Sequence, residues 1–186
     1  MPENKNYKNT DFTKNSLEKG EYESCTFTNC IFYNLDLSNY IFRECEFNGC
    51  DLSLAKLKNT TLNDIRFINC KLLGLHFNNC NAFLFSVCFE NCLLKLSVFI
   101  NMKLKKMIFK NCNIQEADFS EAELTNSVFD FCDLQRTIFF HTNLEMVDFR
   151  TSYNYSIDPE QNKMKKAKFA ASGLSGLLDK YNIIIE

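Results

Sequence analysis

LFSVCFE NCLLKLSVFI NMKLKKMIFK NCNIQEADFS EAELTNSVFD FCDLQRTIFF HTNLEMVDF, residues 84–149, carries Leu, Ile or Phe at every fifth position. The series is Leu84, Phe89, Leu94, Phe99, Leu104, Phe109, Ile114, Phe119, Leu124, Phe129, Leu134, Phe139, Leu144 and Phe149. Two residues before each stands a smaller or compact one, among them Ala82, Val87, Cys92, Ser97, Ala117, Ser127, Cys132 and Thr142. A period of five matches neither an amphipathic helix nor an alternating strand. It requires a unit that bends once per five residues. In extended backbone, residues two apart share a face, so the large residue and the small one before it point inward together. A longer period overlies the first: Phe-Glu-Asn-Cys at 89–92 returns as Phe-Lys-Asn-Cys at 109–112 and Phe-Asp-Phe-Cys at 129–132. Four units therefore close one coil, and equivalent residues of successive coils stack in columns.

This pattern, most regular at Ala117-Asp-Phe-Ser-Glu-Ala-Glu-Leu124, resembles the pentapeptide-repeat family. The resemblance covers roughly residues 5–150 and implies an all-β fold, a right-handed quadrilateral parallel β-helix. At ~4.8 Å per coil, about seven coils would make a rod some 34 Å long. Residues 1–150 are expected to form the β-helix and 151–186 a C-terminal capping and dimerisation segment.

The chain has 186 residues, with 19 Phe, no Trp, 5 Gly and 2 Pro. So little Gly and Pro argues against a hairpin-rich sandwich. The polar N-terminus has no apolar core behind it, and no apolar run approaches the ~20 residues of a membrane span. A soluble, cytoplasmic protein is the expectation. Of the ten cysteines, all but Cys88 fall on the inward position two before a repeat centre. They read as small buried hydrophobes rather than disulfide partners or metal ligands, so neither metal nor cofactor is expected.

The first half keeps the period in another phase, with centres from Tyr7 through Phe27, Phe47 and Phe67 to Phe77. From Phe67 to Phe89 is 22 residues, so two residues are inserted within 78–85. A bulge joining two stacks is the preferred reading of this insertion over a functional loop. Asn29, Asn69, Asn79, Asn91 and Asn111 precede inward cysteines and read as turn residues that tolerate left-handed backbone. Beyond Arg150 the texture changes: a turn over 153–159, a basic segment, then a short helix from Ser172. In that helix Leu174, Leu177, Leu178 and Tyr181 form one stripe, continued by Ile183 and Ile185.

His76 and His141 sit outward without a patterned partner, and there is no phosphate-binding glycine loop. The chain is therefore read as a non-enzyme. Its charge is uneven. Residues 95–110 hold Lys95, Lys103, Lys105, Lys106 and Lys110 with no acid. Residues 111–149 hold Glu116, Asp118, Glu121, Glu123, Asp130, Asp133, Glu145 and Asp148 against Arg136 alone. Two coils span roughly 10 Å, over which duplex DNA carries about six charges. The acidic stretch approaches that density; the whole rod does not.

The C-terminal tail is similar to that of the Qnr and MfpA subgroup of the family. That resemblance implies end-to-end homodimers through Leu174, Leu177, Leu178, Tyr181, Ile183 and Ile185. It also implies that the eight acids imitate DNA, so that the partner is a type II topoisomerase, DNA gyrase or topoisomerase IV, shielded from fluoroquinolones. Two features depart from the subgroup: the basic belt at 95–110 and the absence of long loops. The alternative is a structural or scaffold repeat protein with a different protein partner.

Overall fold

The computed structural model describes residues 2–184. The repeat folds as a right-handed quadrilateral parallel β-helix. Its strands are β1 (Asn6–Lys8), β2 (Glu21–Glu23), β3 (Thr26–Thr28), β4 (Ile41–Arg43), β5 (Glu46–Asn48), β6 (Thr61–Asn63), β7 (Ile65–Ile68), β8 (Val87–Glu90), β9 (Ile108–Lys110) and β10 (Val128–Asp130). The first face is a seven-stranded sheet ordered β1-β3-β5-β7-β8-β9-β10, one strand per coil. Its register pairs Phe27 with Phe47 and Phe109 with Phe129, which fixes the coil at 20 residues. The second and third faces pair through single bridges such as Asp51 to Lys71 and Asp118 to Ile138. The fourth face carries the three-stranded sheet β2-β4-β6.

The core is a set of vertical columns. On the first face Tyr7, Phe27, Phe47, Phe67, Phe89, Phe109, Phe129, Phe149 and Phe169 stack ring on ring, with centroids 4.7 to 5.6 Å apart. Neighbouring columns meet edge to face, as Phe109 meets Phe119 at 5.8 Å and 90°. Both geometries suit the aromatic quadrupole.

The inward small slot holds Ala117, Ala122 and Val147 at some coils, and at others a residue that satisfies one carbonyl of the coil below. Ser127 Oγ donates to Leu104 O (2.8 Å), and Thr142 Oγ1 to Phe119 O (2.9 Å). Cys50 and Cys132 donate Sγ–H to Phe27 O (3.2 Å) and Phe109 O (3.3 Å) in the same way. Cys, Ser and Thr are thus interchangeable here, and the nine inward cysteines are free and buried while Cys88 is exposed. Burial pushes the Cys45 and Cys80 thiols up to about 12, as an unreactive structural thiol requires.

The residue two after most centres turns the corner in left-handed backbone, as at Asn29 (φ 52°), Asn69 (φ 55°), Asn91 (φ 54°) and Asn111 (φ 51°). Asparagine visits that region at low cost. Its amide then bonds along the column, Asn91 Nδ2 donating to Asn69 Oδ1 at 3.1 Å. Asn79 differs: it closes a 3₁₀ turn, Phe77–Asn79.

Three expectations are corrected. Leu84 is not an inward centre, nor is Ala82 an inward slot: both are exposed, Leu84 at a left-handed corner (φ 65°). Phe85 takes the inward place instead and packs on Phe77, because the two extra residues must leave the coil before the chain can rejoin it. The ladder also does not stop at Arg150. Lys163 bridges Asn143, Lys168 bridges Asp148, and Phe169 stacks on Phe149 at 5.2 Å. The basic tail segment is therefore a further coil. Finally, the terminal helix is 3₁₀, over Ala171–Leu177 and Asp179–Tyr181. Residues three apart eclipse in a 3₁₀ helix, which sets Gly173 and Gly176 together against Tyr155. A Cβ on Gly173 would lie 2.0 Å from the Tyr155 hydroxyl, and one on Gly176 2.1 Å from the Tyr155 carbonyl oxygen. Ile157 N–H donates to Gly176 O at 2.9 Å, and the segment seals the top of the rod, as a solenoid end requires.

Candidate interaction surfaces

The eight predicted acids do not share one face; they encircle the upper coils. Asp130 and Asp148 lie on the first face, Asp133 on the second, Asp118 on the third and Glu123 on the fourth. Glu145 follows Leu144 on the fourth face, while Glu116 (φ 57°) and Glu121 (φ 60°) turn corners. The five-residue period forces this, because successive units sit on successive sides.

Their electrostatic states differ. Glu116 pairs with Lys95 at 2.9 Å. Glu123 accepts a hydrogen bond from Thr125 and lies 3.9 Å from Lys105. Partial burial raises its pKa, but those two contacts outweigh it and hold the carboxyl below its ordinary value. The Arg150 guanidinium grips Asp148 through three contacts of 2.7 to 3.1 Å and lowers its pKa. Asp133 accepts from Gln115 Nε2 (2.7 Å) and Asn154 Nδ2 (2.9 Å), and Asp130 from Thr151 Oγ1 (2.9 Å). Asp118 caps the Ser120 amide at 2.8 Å. Five of the eight acids, Asp118, Glu121, Asp130, Asp133 and Glu145, make no ion pair among the described residues.

The basic belt is largely consumed internally: Lys95, Lys105 and Lys110 pair with Glu116, Glu123 and Glu90 across neighbouring coils. Lys103 and Lys106 make no ion pair among the described residues. Exposed ion pairs of this kind contribute little to stability, but they cancel field, so the rod's negative potential is weaker than its acid count.

Of the proposed dimerisation residues, Leu174, Tyr181 and Ile183 are exposed. Leu177 and Leu178 are half-buried, Leu177 against the core, so the stripe is split between cap and surface. Ile185 lies outside the described residues. Lys180 ties this segment down through Asp158 and Glu160, each at 2.7 Å, and both contacts raise the lysine pKa.

Two surfaces escaped the sequence reading. On the second face Ile31, Tyr33 and Leu93 are exposed beside Leu54 and Leu96, which turn corners at φ 60° and 61°. The available signal was Leu at the position that Asn usually holds. The second surface is the cleft left by the insertion at 81–86, for which only the 22-residue spacing gave a sign. His76 bridges Val98 on the third face and His141 turns a corner at φ 52°. No described helix is long and apolar enough to cross a membrane.

A four-sided solenoid with buried Phe columns and a charged exterior defines a class of repeat proteins, the quadrilateral β-helices. Family models for the pentapeptide repeat region and for pentapeptide repeats (8 copies) match residues 20–99 and residues 92–130 and 117–152. The chain belongs to the pentapeptide-repeat family. Two trypsin-treated forms of QnrB1, a plasmid-mediated fluoroquinolone resistance protein, are each 21% identical to it, with TM-scores of 0.50 and 0.51. The alignments cover 99% and 100% of this chain and 98% and 99% of theirs. HetL, a pentapeptide repeat protein of the cyanobacterium Nostoc, is 15% identical over 89% of this chain and 84% of its own, with a TM-score of 0.30. No curated protein gives a significant match. At these identities the likeness is one of fold.

Proposed function

We propose that this chain imitates duplex DNA, occupies the DNA-binding surface of a type II topoisomerase (DNA gyrase or topoisomerase IV) and thereby protects the enzyme from fluoroquinolones. The observation that carries the reading is the placement of Glu116 to Asp148 on all four sides of adjacent coils, as phosphates surround a duplex. The full-length likeness in fold to QnrB1 supports it. In this reading the chain is a cytoplasmic binding protein without catalytic activity, and it dimerises end to end through its C-terminal segment.

The test is supercoiling by gyrase with and without ciprofloxacin. Replacing Glu116, Asp118, Glu121, Glu123, Asp130 and Asp133 by Asn or Gln should abolish protection and topoisomerase binding. Neutralising Glu18, Glu21 and Glu23 at the other end should do much less. Wild-type affinity should fall as salt rises, because a charge-steered encounter is screened. Equal binding by both variants would refute the mimicry. For the dimer, Leu174→Glu with Ile183→Glu changes only exposed residues and should yield monomers in light scattering. An unchanged mass would refute the end-to-end contact.

The scaffold reading is favoured by one observation, the apolar second face around Leu54, Leu93 and Leu96. A chain inert towards both topoisomerases whose partner is lost on Leu96→Asn would establish it instead.

A further inference from the structure

On every regular coil of the fourth face, the residue before the centre donates its N–H to a carbonyl one coil below. Thr61 donates to Tyr40 O, Asn81 to Thr60 O, Glu123 to Met102 O and Asn143 to Ala122 O, all at 2.9 Å. Lys103 is the exception. Its partner would be Cys80 O, and among the described residues neither group has a main-chain partner. The same coil lacks two further bonds on its lower side. Among the described residues the carbonyls of Lys103 and Lys105 accept no hydrogen bond, whereas those of Glu123 and Thr125, one coil up, accept from Leu104 (2.8 Å) and Lys106 (3.0 Å). All three groups that should pair downward are bare, and those that pair upward are satisfied.

The insertion is the cause. Residues 81–86 bind the coil below, through Ser86 N–H to Leu62 O (3.0 Å) and Asn63 Nδ2 to Leu84 O (3.2 Å). They therefore do not reach the coil above. Between them and residues 100–103 opens a cleft of about 590 Å³ walled by Cys80, Ala82, Phe83, Phe85, Ile100 and Met102, with Lys103 at its side. A second cleft of about 260 Å³ continues along Lys105 and Lys106. Phe83 stands 74% exposed at the rim.

We propose that this open edge takes up an extended peptide with the pattern small-acid-apolar-acid, which adds one strand to the interrupted ladder. An unpaired strand edge is a template for pairing, and strand addition draws affinity from main-chain bonds and specificity from alternate side chains. The fourth-face geometry prescribes the register. The central N–H of the peptide donates to Lys103 C=O, its small residue accepts from Lys103 N–H, and its later N–H reaches Lys105 C=O. The apolar side chain enters the Phe83–Met102 cleft. The flanking acids fall beneath Lys103 and Lys105, with Lys106 at the next corner. The proposal is independent of the topoisomerase reading, since the acid ring takes no part in it.

The probe is a fluorescein-labelled, C-terminally amidated Ser-Ala-Glu-Leu-Glu-Ser peptide, followed by fluorescence anisotropy on the full chain. Saturable binding is expected. It should weaken at least about ten-fold with Lys103→Glu plus Lys106→Glu, by loss of charge complementarity, and comparably when the peptide's Leu nitrogen is methylated. Deleting Phe83 and Leu84 restores the 20-residue spacing and should close the edge, abolishing binding while a cooperative thermal transition persists. If that deletion fails to fold, the charge variant and the methylated peptide still decide. Absence of binding at millimolar peptide overturns the proposal, as does equal binding of the methylated peptide, which would mark a merely apolar cleft. It is also overturned if the chain associates with itself through this edge, shown by a dimer that the charge variant dissolves and the peptide does not compete with.

Discussion

Between the coil of Phe67 and the coil of Phe89 the first and fourth faces respond differently to the same two extra residues. On the first face β7, β8 and β9 pair without a break, and Phe67, Phe89 and Phe109 stack at 5.6 and 5.5 Å. On the fourth face the sheet ends at β6 and the coil above shows a bare edge. Each coil touches only its neighbours, so a solenoid absorbs an insertion at one side and continues on the other three. Continuity of the core and continuity of the ladder are therefore separable, and the molecule keeps the first while giving up the second.

The strongest way to break this contrast is to attack the column that crosses the insertion. Phe109→Ala removes a fully buried ring stacked on both sides and should cost roughly 3–5 kcal/mol, read as a fall in urea midpoint. Phe83→Ala, on the detour itself, should shift stability by less than about 0.5 kcal/mol. Comparable losses in the two would mean that the detour holds the stack together.

A smaller effect tests the ladder above the insertion. Ser127 Oγ donates to Leu104 O and accepts Met107 N–H at 3.0 Å, both buried. Ser127→Ala removes two buried hydrogen bonds and leaves Met107 N–H and Leu104 C=O only their mutual bond at 3.3 Å, which should cost about 1–3 kcal/mol at about 0.5–1.5 kcal/mol per bond. Ser127→Cys should recover much of that, since cysteine makes the same bond at other coils.

What was legible in the sequence follows from this architecture. The period of five reports the inward columns directly, because Phe and Leu must recur wherever a side faces the core. Coil length, buried cysteines and Asn corners were therefore readable. The insertion was legible as a spacing of 22 but not as an open edge, because main-chain pairing leaves no mark in side-chain pattern. Leu84 misled for a related reason: it continues the five-residue series numerically, while backbone closure puts Phe85 in the core. The coil at Lys163 to Phe169 was hidden because Tyr155 and Ile157 interrupt the period at the turn. The acids' identities were plain, but their pairing with Lys95, Lys105 and Arg150 depends on contacts between coils.

Acid titration contrasts the two faces more finely. Asp148 on the first face and Glu123 on the fourth both have lowered pKa values. A carboxylate depressed on folding stabilises above its unfolded value, about 4, and that contribution disappears as pH falls through the folded value. Asp148→Asn should therefore lower the neutral-pH midpoint slightly and flatten the acid limb of a stability curve below about pH 4. Glu123→Gln should do so less, because the aspartate's grip by Arg150 is direct and the Glu123–Lys105 contact is 3.9 Å. Identical acid limbs for the two variants would remove the distinction.

The last effect concerns Leu84 itself and has the opposite sign. Leu84 is 55% exposed and sits at φ 65°, a region that costs an L residue roughly 1–2 kcal/mol and Asn less. Little apolar area is buried there, so little is lost on replacing it. Its carbonyl, which accepts from Asn63 Nδ2, is main chain and survives the change. Leu84→Asn should accordingly raise stability by up to about 1 kcal/mol, seen as a higher urea midpoint at unchanged slope. Leu104→Asn, one coil above and fully buried, should be strongly destabilising under the same assay. If Leu84→Asn instead lowers the midpoint, the leucine has a packing partner, the detour is closed rather than open, and the fourth face is not an edge at all.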